Sequence, residues 1–135
     1  MVLPKMEIQS CQQNAAVLAI TEPERQGILA MGDQILLRME AQEIHTMLGY
    51  ERQEVVDFLT MMRSLEPSSA FLPHMSYSLS FNCEQLFLLN AILRESFQEL
   101  GRRDFTSKIG VPVDDWRAWQ RLVWDAAHRT GSSQC

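Results

Sequence analysis

Three histidines are the first residues to consider for catalysis or metal binding, and their positions favour neither. His45, His74 and His128 are widely spaced, with no partner motif beside any of them. The sequence contains no G-x-S-x-G and no H-E-x-x-H motif. Because catalysis needs positioned partners, each histidine is better explained as a surface residue. The sequence therefore predicts no enzyme activity, no metal site and no cofactor.

Acidic pairs are the next candidates for proton transfer. Asp114 and Asp115 stand at the start of one predicted helix, and Glu51 and Glu54 at the start of another. Acids in a first turn interact favourably with the helix dipole, so they need no catalytic explanation. A general-acid role remains the alternative. The six glycines are scattered and form no phosphate-binding loop.

Cysteine usage and hydropathy indicate the compartment. Cys11, Cys83 and Cys135 have no metal-ligand spacing, so we expect three free thiols in a reducing environment. The first residues, MVLPKMEIQS, lack the apolar run of a signal peptide. No stretch approaches the roughly 18 apolar residues that span a bilayer. These features predict a cytoplasmic protein with no membrane contact.

Basic residues gather in the C-terminal half. Residues 1–70 hold 10 acids against 5 bases, whereas residues 71–135 hold 7 of each. Nucleic acid binding normally needs a basic surface, so the first half is a poor candidate. The candidate nucleic-acid contacts, all in the second half, are Arg102, Arg103, Lys108, Arg117, Gln120 and Arg121.

An aromatic and basic group near the C-terminus gives a second interpretation. Trp116 and Trp119 share the predicted core face of the last helix, and Trp124 falls at the edge of that face. Trp124 is either covered by a neighbouring element or half-exposed beside basic groups, as at protein interfaces. The candidate partner contacts are Trp124, Arg117, Arg121, His128 and Phe87.

Two segments of the chain share one pattern of apolar, capping and turn residues, and the helices that they predict must position the candidate contact residues. A shift of 61 residues lays residues 18–62 over residues 79–123 without a gap. Each segment opens with a β-prone run, AAVLAI or MSYSLSF, that ends at a capping residue, Thr21 or Asn82. Glu24 or Gln85 follows three places later, as a capping box requires. The pattern predicts helices over residues 22–41 and 83–101, the second apolar on several faces and therefore central.

Each helix leads into a helix-turn-helix-like unit. Gly49 and Gly110 mark the two turns, because a tight turn between helices favours a positive φ. Apolar anchors follow in each second helix, namely Val55, Phe58, Trp116 and Trp119. A packing role explains the turn as well as DNA recognition does.

The predicted fold is mainly α, one domain over residues 1–135 with two similar halves. The halves cover residues 14–63 and 77–129, joined by a linker over residues 64–76 that contains two prolines and followed by a flexible tail over residues 130–135. If a pseudo-twofold axis relates the halves, the two β-prone runs pair as a short two-stranded ribbon.

The stretch LLNAILRES…RDFTSKIG resembles a helix-turn-helix-like repeat of small uncharacterised bacterial proteins. The matching residues are Asn90, Ala91, Glu95, Phe105, Ile109 and Gly110. The likeness covers about a third of the chain. The first half keeps only Ala30, Ile44, Leu48 and Gly49 of it. The resemblance implies a helical bacterial protein and no activity.

The predicted function is that of a non-catalytic interaction or accessory protein, with a protein partner or a second copy in a homodimer. The alternative is a small helix-turn-helix DNA-binding regulator that uses the C-terminal half. The acidic balance makes a nucleic acid the less favoured partner.

Overall fold

Helices dominate the part of the chain that the computed structural model describes, residues 5–12, 14–65 and 76–130. Three strands form one antiparallel sheet, and five helices pack on it and on one another. In chain order the elements are β1 Glu7–Cys11, β2 Ala15–Thr21, α1 Glu22–Arg38, α2 Ala41–Leu48, α3 Arg52–Arg63, β3 Ser76–Asn82, α4 Cys83–Ile109 and α5 Val113–Arg129.

The sheet has the strand order β1-β2-β3. The two β-prone runs pair with each other, as predicted, and Leu18 lies directly opposite Leu79. The expected two-stranded ribbon is incomplete, however, because β1 pairs with the other edge of β2. β1 was not predicted from the sequence. Its register shifts between Ile8 and Ser10, so its residues lack the regular alternation of buried and exposed positions that is typical of a half-buried strand.

Both predicted capping boxes are confirmed, at Thr21 with Glu24 and at Asn82 with Gln85. Glu24 does more than cap α1. It is buried, and its carboxylate accepts hydrogen bonds from the Thr21 amide at 2.8 Å and the Thr21 hydroxyl at 2.9 Å. It also accepts one from the Met6 amide at 2.7 Å, just before β1. One carboxylate therefore joins the N-terminal segment to the first turn of α1.

The first long helix ends earlier than predicted. We expected helix through residue 41, but α1 stops at Arg38 and Met39 is extended, with φ −110° and ψ 136°. Met39 is buried, and Glu40 opens α2 with its own capping box to Glu43. Burial of the Met39 side chain thus accompanies a break that local helix propensity did not indicate.

The second long helix is central, as its apolar surface predicted. Leu86, Leu89, Ile92 and Leu93 are buried along α4. Backbone bonding continues to Ile109, but Gly101 has φ 76° and ψ 160° and interrupts the helical conformation. Residues 102–109 therefore form a separate short helical segment.

The two turn glycines are confirmed. Gly49 and Gly110 end their helices in the left-handed conformation, with φ of 82° and 81°. The predicted anchors of the following helices, Val55, Phe58, Trp116 and Trp119, are all buried.

The cysteine expectation is wrong at one position. Cys11 is disulfide-bonded, whereas Cys83 is a free thiol. Cys135, His74 and most of the expected linker and tail lie outside the described residues. Thr130, which the sequence placed in the tail, is buried and donates a hydrogen bond to the Ala126 carbonyl at 2.8 Å.

Candidate interaction surface

Helix α5 has one buried face that fixes its position on α4. The Trp116 indole N–H donates to the Leu93 carbonyl at 2.8 Å. Its ring stacks on Phe97, with centroids 4.2 Å apart. Because a buried indole with a hydrogen-bond partner tolerates few orientations, α5 can present only its opposite face to solvent.

That opposite face carries four of the five predicted partner contacts. Arg117, Arg121, Trp124 and His128 are all exposed and follow one another at helical spacings of four, three and four residues. Trp124 is 51% exposed, which removes the interpretation of this tryptophan as a core residue. We call this surface, with Phe87, the α5 strip.

Ring contacts join Phe87 to the rest of the α5 strip. The Trp124 and His128 rings lie 4.0 Å apart, centroid to centroid. His128 in turn meets the half-buried Phe87 edge to face at 5.4 Å. The Nδ1 atom of His128 lies 2.9 Å from the Trp124 carbonyl, and this contact fixes the imidazole between the two rings. The result is a short aromatic row from α5 to the start of α4.

Charges of both signs surround the aromatic row. Arg117 lies 4.0 Å from Asp114, a loose pair with both side chains largely exposed. Arg129 pairs with Asp125 at 3.3 Å. Arg121 makes no ion pair within the described residues. An exposed ring with a free guanidinium one turn away has the composition of a protein contact.

The candidate nucleic-acid contacts fall on two helices. Arg102, Arg103 and Lys108 are exposed on residues 102–109, beside the exposed Asp104. On α5, Arg117 and Arg121 are exposed and Gln120 is half-buried. Asp114 and Asp115 are also exposed, in the first turn of α5, where a recognition helix would approach phosphates.

No side-chain cluster within the described residues matches a metal centre: no group of three or more His, Cys, Asp or Glu side chains is placed to hold an ion there. His45 is exposed and lies 2.7 Å from Glu51, across the turn between α2 and α3. Glu51 also opens α3 with a capping box to Glu54. The pairing therefore has a structural explanation at the turn.

Two polar residues of the repeat resemblance, Asn90 and Glu95, are buried on α4, which the sequence analysis did not predict. Glu95 is buried and accepts a hydrogen bond from Arg94 at 2.9 Å. Arg94 also donates to the Met47 carbonyl at 3.3 Å, which ties the end of α2 to α4. Asn90 is buried, and its Oδ1 has no hydrogen-bond partner in the described part of the chain. Asparagine within an otherwise apolar run was the one signal available.

Comparison with known proteins adds no relative: no family model matches the chain, and no curated protein or solved structure matches it. Among the described helices, none is long and apolar enough to cross a membrane.

Proposed function

We propose that this chain is a non-catalytic protein-interaction protein that self-associates through the α5 strip. The observation that carries the proposal is Trp124, a large apolar side chain with half its surface in solvent. The His128 ring packs against it, and His128 is itself in contact with Phe87, so less side-chain entropy would be lost on binding. Tryptophan and arginine are the residues that most often dominate binding energy at protein contacts.

Sedimentation velocity over a wide range of protein concentration tests the proposal. We expect a concentration-dependent dimer, and Trp124→Ala should weaken it at least about ten-fold. The same change should lower the free energy of unfolding by less than about 1 kcal/mol, since Trp124 is half-exposed. Leu37→Ala is the matched control, because Leu37 is 78% exposed on α1, outside the strip. A monomer at every concentration would overturn self-association.

The alternative proposal is DNA binding by the C-terminal helix-turn-helix-like unit. Exposed bases on residues 102–109 and on α5 support it, together with the turn at Gly110. The acids at the start of α5 weaken it, since Asp114 and Asp115 would repel phosphates. A gel shift with random duplex at low salt separates the two proposals. Retardation that Arg121→Ala reduces would favour DNA, and no retardation at micromolar protein would leave the interaction proposal alone.

We also propose that the two halves are related by a pseudo-twofold axis through the β2–β3 pair. The support is the register: Leu18 faces Leu79, the residue that the 61-residue shift makes its equivalent. Each strand is followed by a long helix, a short helical segment and a further helix. A cytoplasmic location loses one of its arguments, because the disulfide at Cys11 is unlike a reducing compartment.

A further inference from the structure

A groove with an apolar floor opens between α3 and the first turns of α4. Its volume is about 270 Å³. Phe58 and Leu88 are buried at its base, and Met61 is half-buried beside them. Drug-sized ligands usually occupy pockets of roughly 300–1,000 Å³. The groove lies just below that range and has room for one long side chain.

Three exposed carboxylates stand around this floor, those of Glu54, Asp57 and Glu84. Within the described residues none of them forms an ion pair. Their partners there are neutral: Glu54 accepts from the Glu51 amide at 3.3 Å, and Asp57 from the Gln53 amide group at 2.8 Å. The groove thus keeps its negative charge.

Tyr50 lines the groove, and its pKa is affected by that negative charge. Its hydroxyl donates to the Glu84 carbonyl at 3.4 Å. Burial raises the pKa of Tyr50, and the negative charges of Glu84 and Glu54 raise it further. A negative potential that disfavours a phenolate equally favours a cation.

We propose that this groove is the docking site for a basic segment of a partner protein, which inserts one Lys or Arg side chain. The methylene stem would lie on Phe58, Met61 and Leu88, and the cationic head would stay among the three carboxylates. Lysine and arginine combine an apolar stem with a charged end, as this floor and rim require. This docking site is distinct from the proposed self-association surface, the α5 strip.

An NMR titration of the whole protein with the blocked peptide Ala-Leu-Lys-Leu-Ala tests the proposal. We expect shifts at Tyr50 and Met61, and binding at least five-fold tighter than that of the same peptide with Glu for Lys. Glu54→Gln, Asp57→Asn and Glu84→Gln should each weaken binding about two- to five-fold, the range of exposed ion pairs. Glu99→Gln is the matched control: it changes the net charge equally, and Glu99 is exposed at the far end of α4's first segment.

Four results would overturn the proposal. The first is an absence of shifts at Tyr50 and Met61 with the Lys peptide. The second is equal binding of the Glu peptide, which would mean that the carboxylates play no part. The third is n-butylammonium binding as tightly as the peptide, which would make the groove a site for free amines. The fourth is a shift of the groove signals with protein concentration alone in the Trp124→Ala variant, which would make a second copy the occupant of the groove.

Discussion

Two contacts between helices of this molecule each include a residue that follows a turn glycine, but one contact is tightly packed and the other leaves a groove. Val111 follows a turn glycine, and with Trp119 of α5 it presses against Gly27 of α1. A Cβ atom at Gly27 would lie only 2.8 Å from Val111 Cγ2 and 3.1 Å from Trp119 Cη2. We call this the closed contact. The open contact is the groove, where Tyr50 follows the other turn glycine and Phe58 of α3 lies near α4.

The difference lies in side-chain size and charge rather than in backbone plan. The 61-residue shift places Leu88 at the position of Gly27 and Phe58 at that of Trp119. In the closed contact, the large Trp119 ring fills the space that Gly27 leaves by having no side chain. In the open contact, the smaller Phe58 ring and Leu88 leave a groove. Glycine inside a helix costs about 0.5–1 kcal/mol relative to alanine. The closed contact is therefore tightly packed, whereas the open contact is less tightly packed and is surrounded by carboxylates that form no ion pair within the described part of the chain.

Removal of the Trp119 ring from the closed contact should cause the largest loss of stability among these variants. Trp119→Ala is expected to lower the free energy of unfolding by about 3–5 kcal/mol, because it leaves a cavity in the core. Urea denaturation followed by circular dichroism measures this. A loss below about 1 kcal/mol would mean that the closed contact is not tightly packed.

A single methyl group added at Gly27 should also show that the closed contact has no free space. Gly27→Ala is expected to destabilise the protein by about 1–3 kcal/mol, since Val111 and Trp119 leave no room for it. Adding Val111→Ala to that variant should recover part of the loss. If Gly27→Ala were instead stabilising, as alanine is in an open helix, the close approach would be disproved.

Acid should lower the stability that Glu22, the first residue of α1, gives to the fold. Hydrogen bonds from Arg25 hold the pKa of Glu22 at about 2, below its usual 4.5, with help from Tyr77 and Gln26 and against the effect of burial. The folded pKa is depressed, so this stability is present above pH 4.5 and is lost as the pH falls towards 2. Glu22→Gln should cost about 1–2 kcal/mol at pH 7 and flatten the stability profile between pH 5 and 2. An unchanged profile would contradict the role of Glu22.

Filling the open contact should have the smallest effect on stability. Phe58→Trp gives α3 the residue type that α5 has 61 positions later, at Trp119. We expect the free energy of unfolding to change by less than about 1 kcal/mol, because the groove adjoins Phe58. Binding of the Lys peptide should disappear. A large destabilisation would show that the groove is not accessible to a larger ring at this position.

Local chemistry made much of this fold predictable. The caps at Thr21 and Asn82 and the turns at Gly49 and Gly110 each depend on a few neighbouring residues. The pairing of β2 with β3 joins residues far apart in sequence, such as Leu18 and Leu79, and its prediction depended instead on the similar pattern of the two β-prone runs. The exposed face of α5 followed from helical spacing, although only the structure shows that Trp124 lies in solvent.

The features that escaped prediction are two local irregularities of the backbone and one assembly of residues far apart in sequence. β1 pairs with β2 through an irregular register, and a buried Met39 accompanies the end of α1. The groove exists only because α3 meets the start of α4, so Glu54 and Glu84 gave no sign of it separately. Glu54 was interpreted as a first-turn acid that favours the helix dipole, and nothing in the sequence indicated that Asp57 and Glu84 lie beside the same groove.

The buried carboxylate of Glu24 has a consequence for the order in which the molecule opens. Its oxygens serve the Met6 amide and the first turn of α1 at once. The Met6 amide can therefore be protected from hydrogen exchange only in states that keep this turn formed. Any opening that frays the start of α1 also breaks the hydrogen bond of the Met6 amide, whereas loss of that bond alone leaves the cap at Thr21 in place.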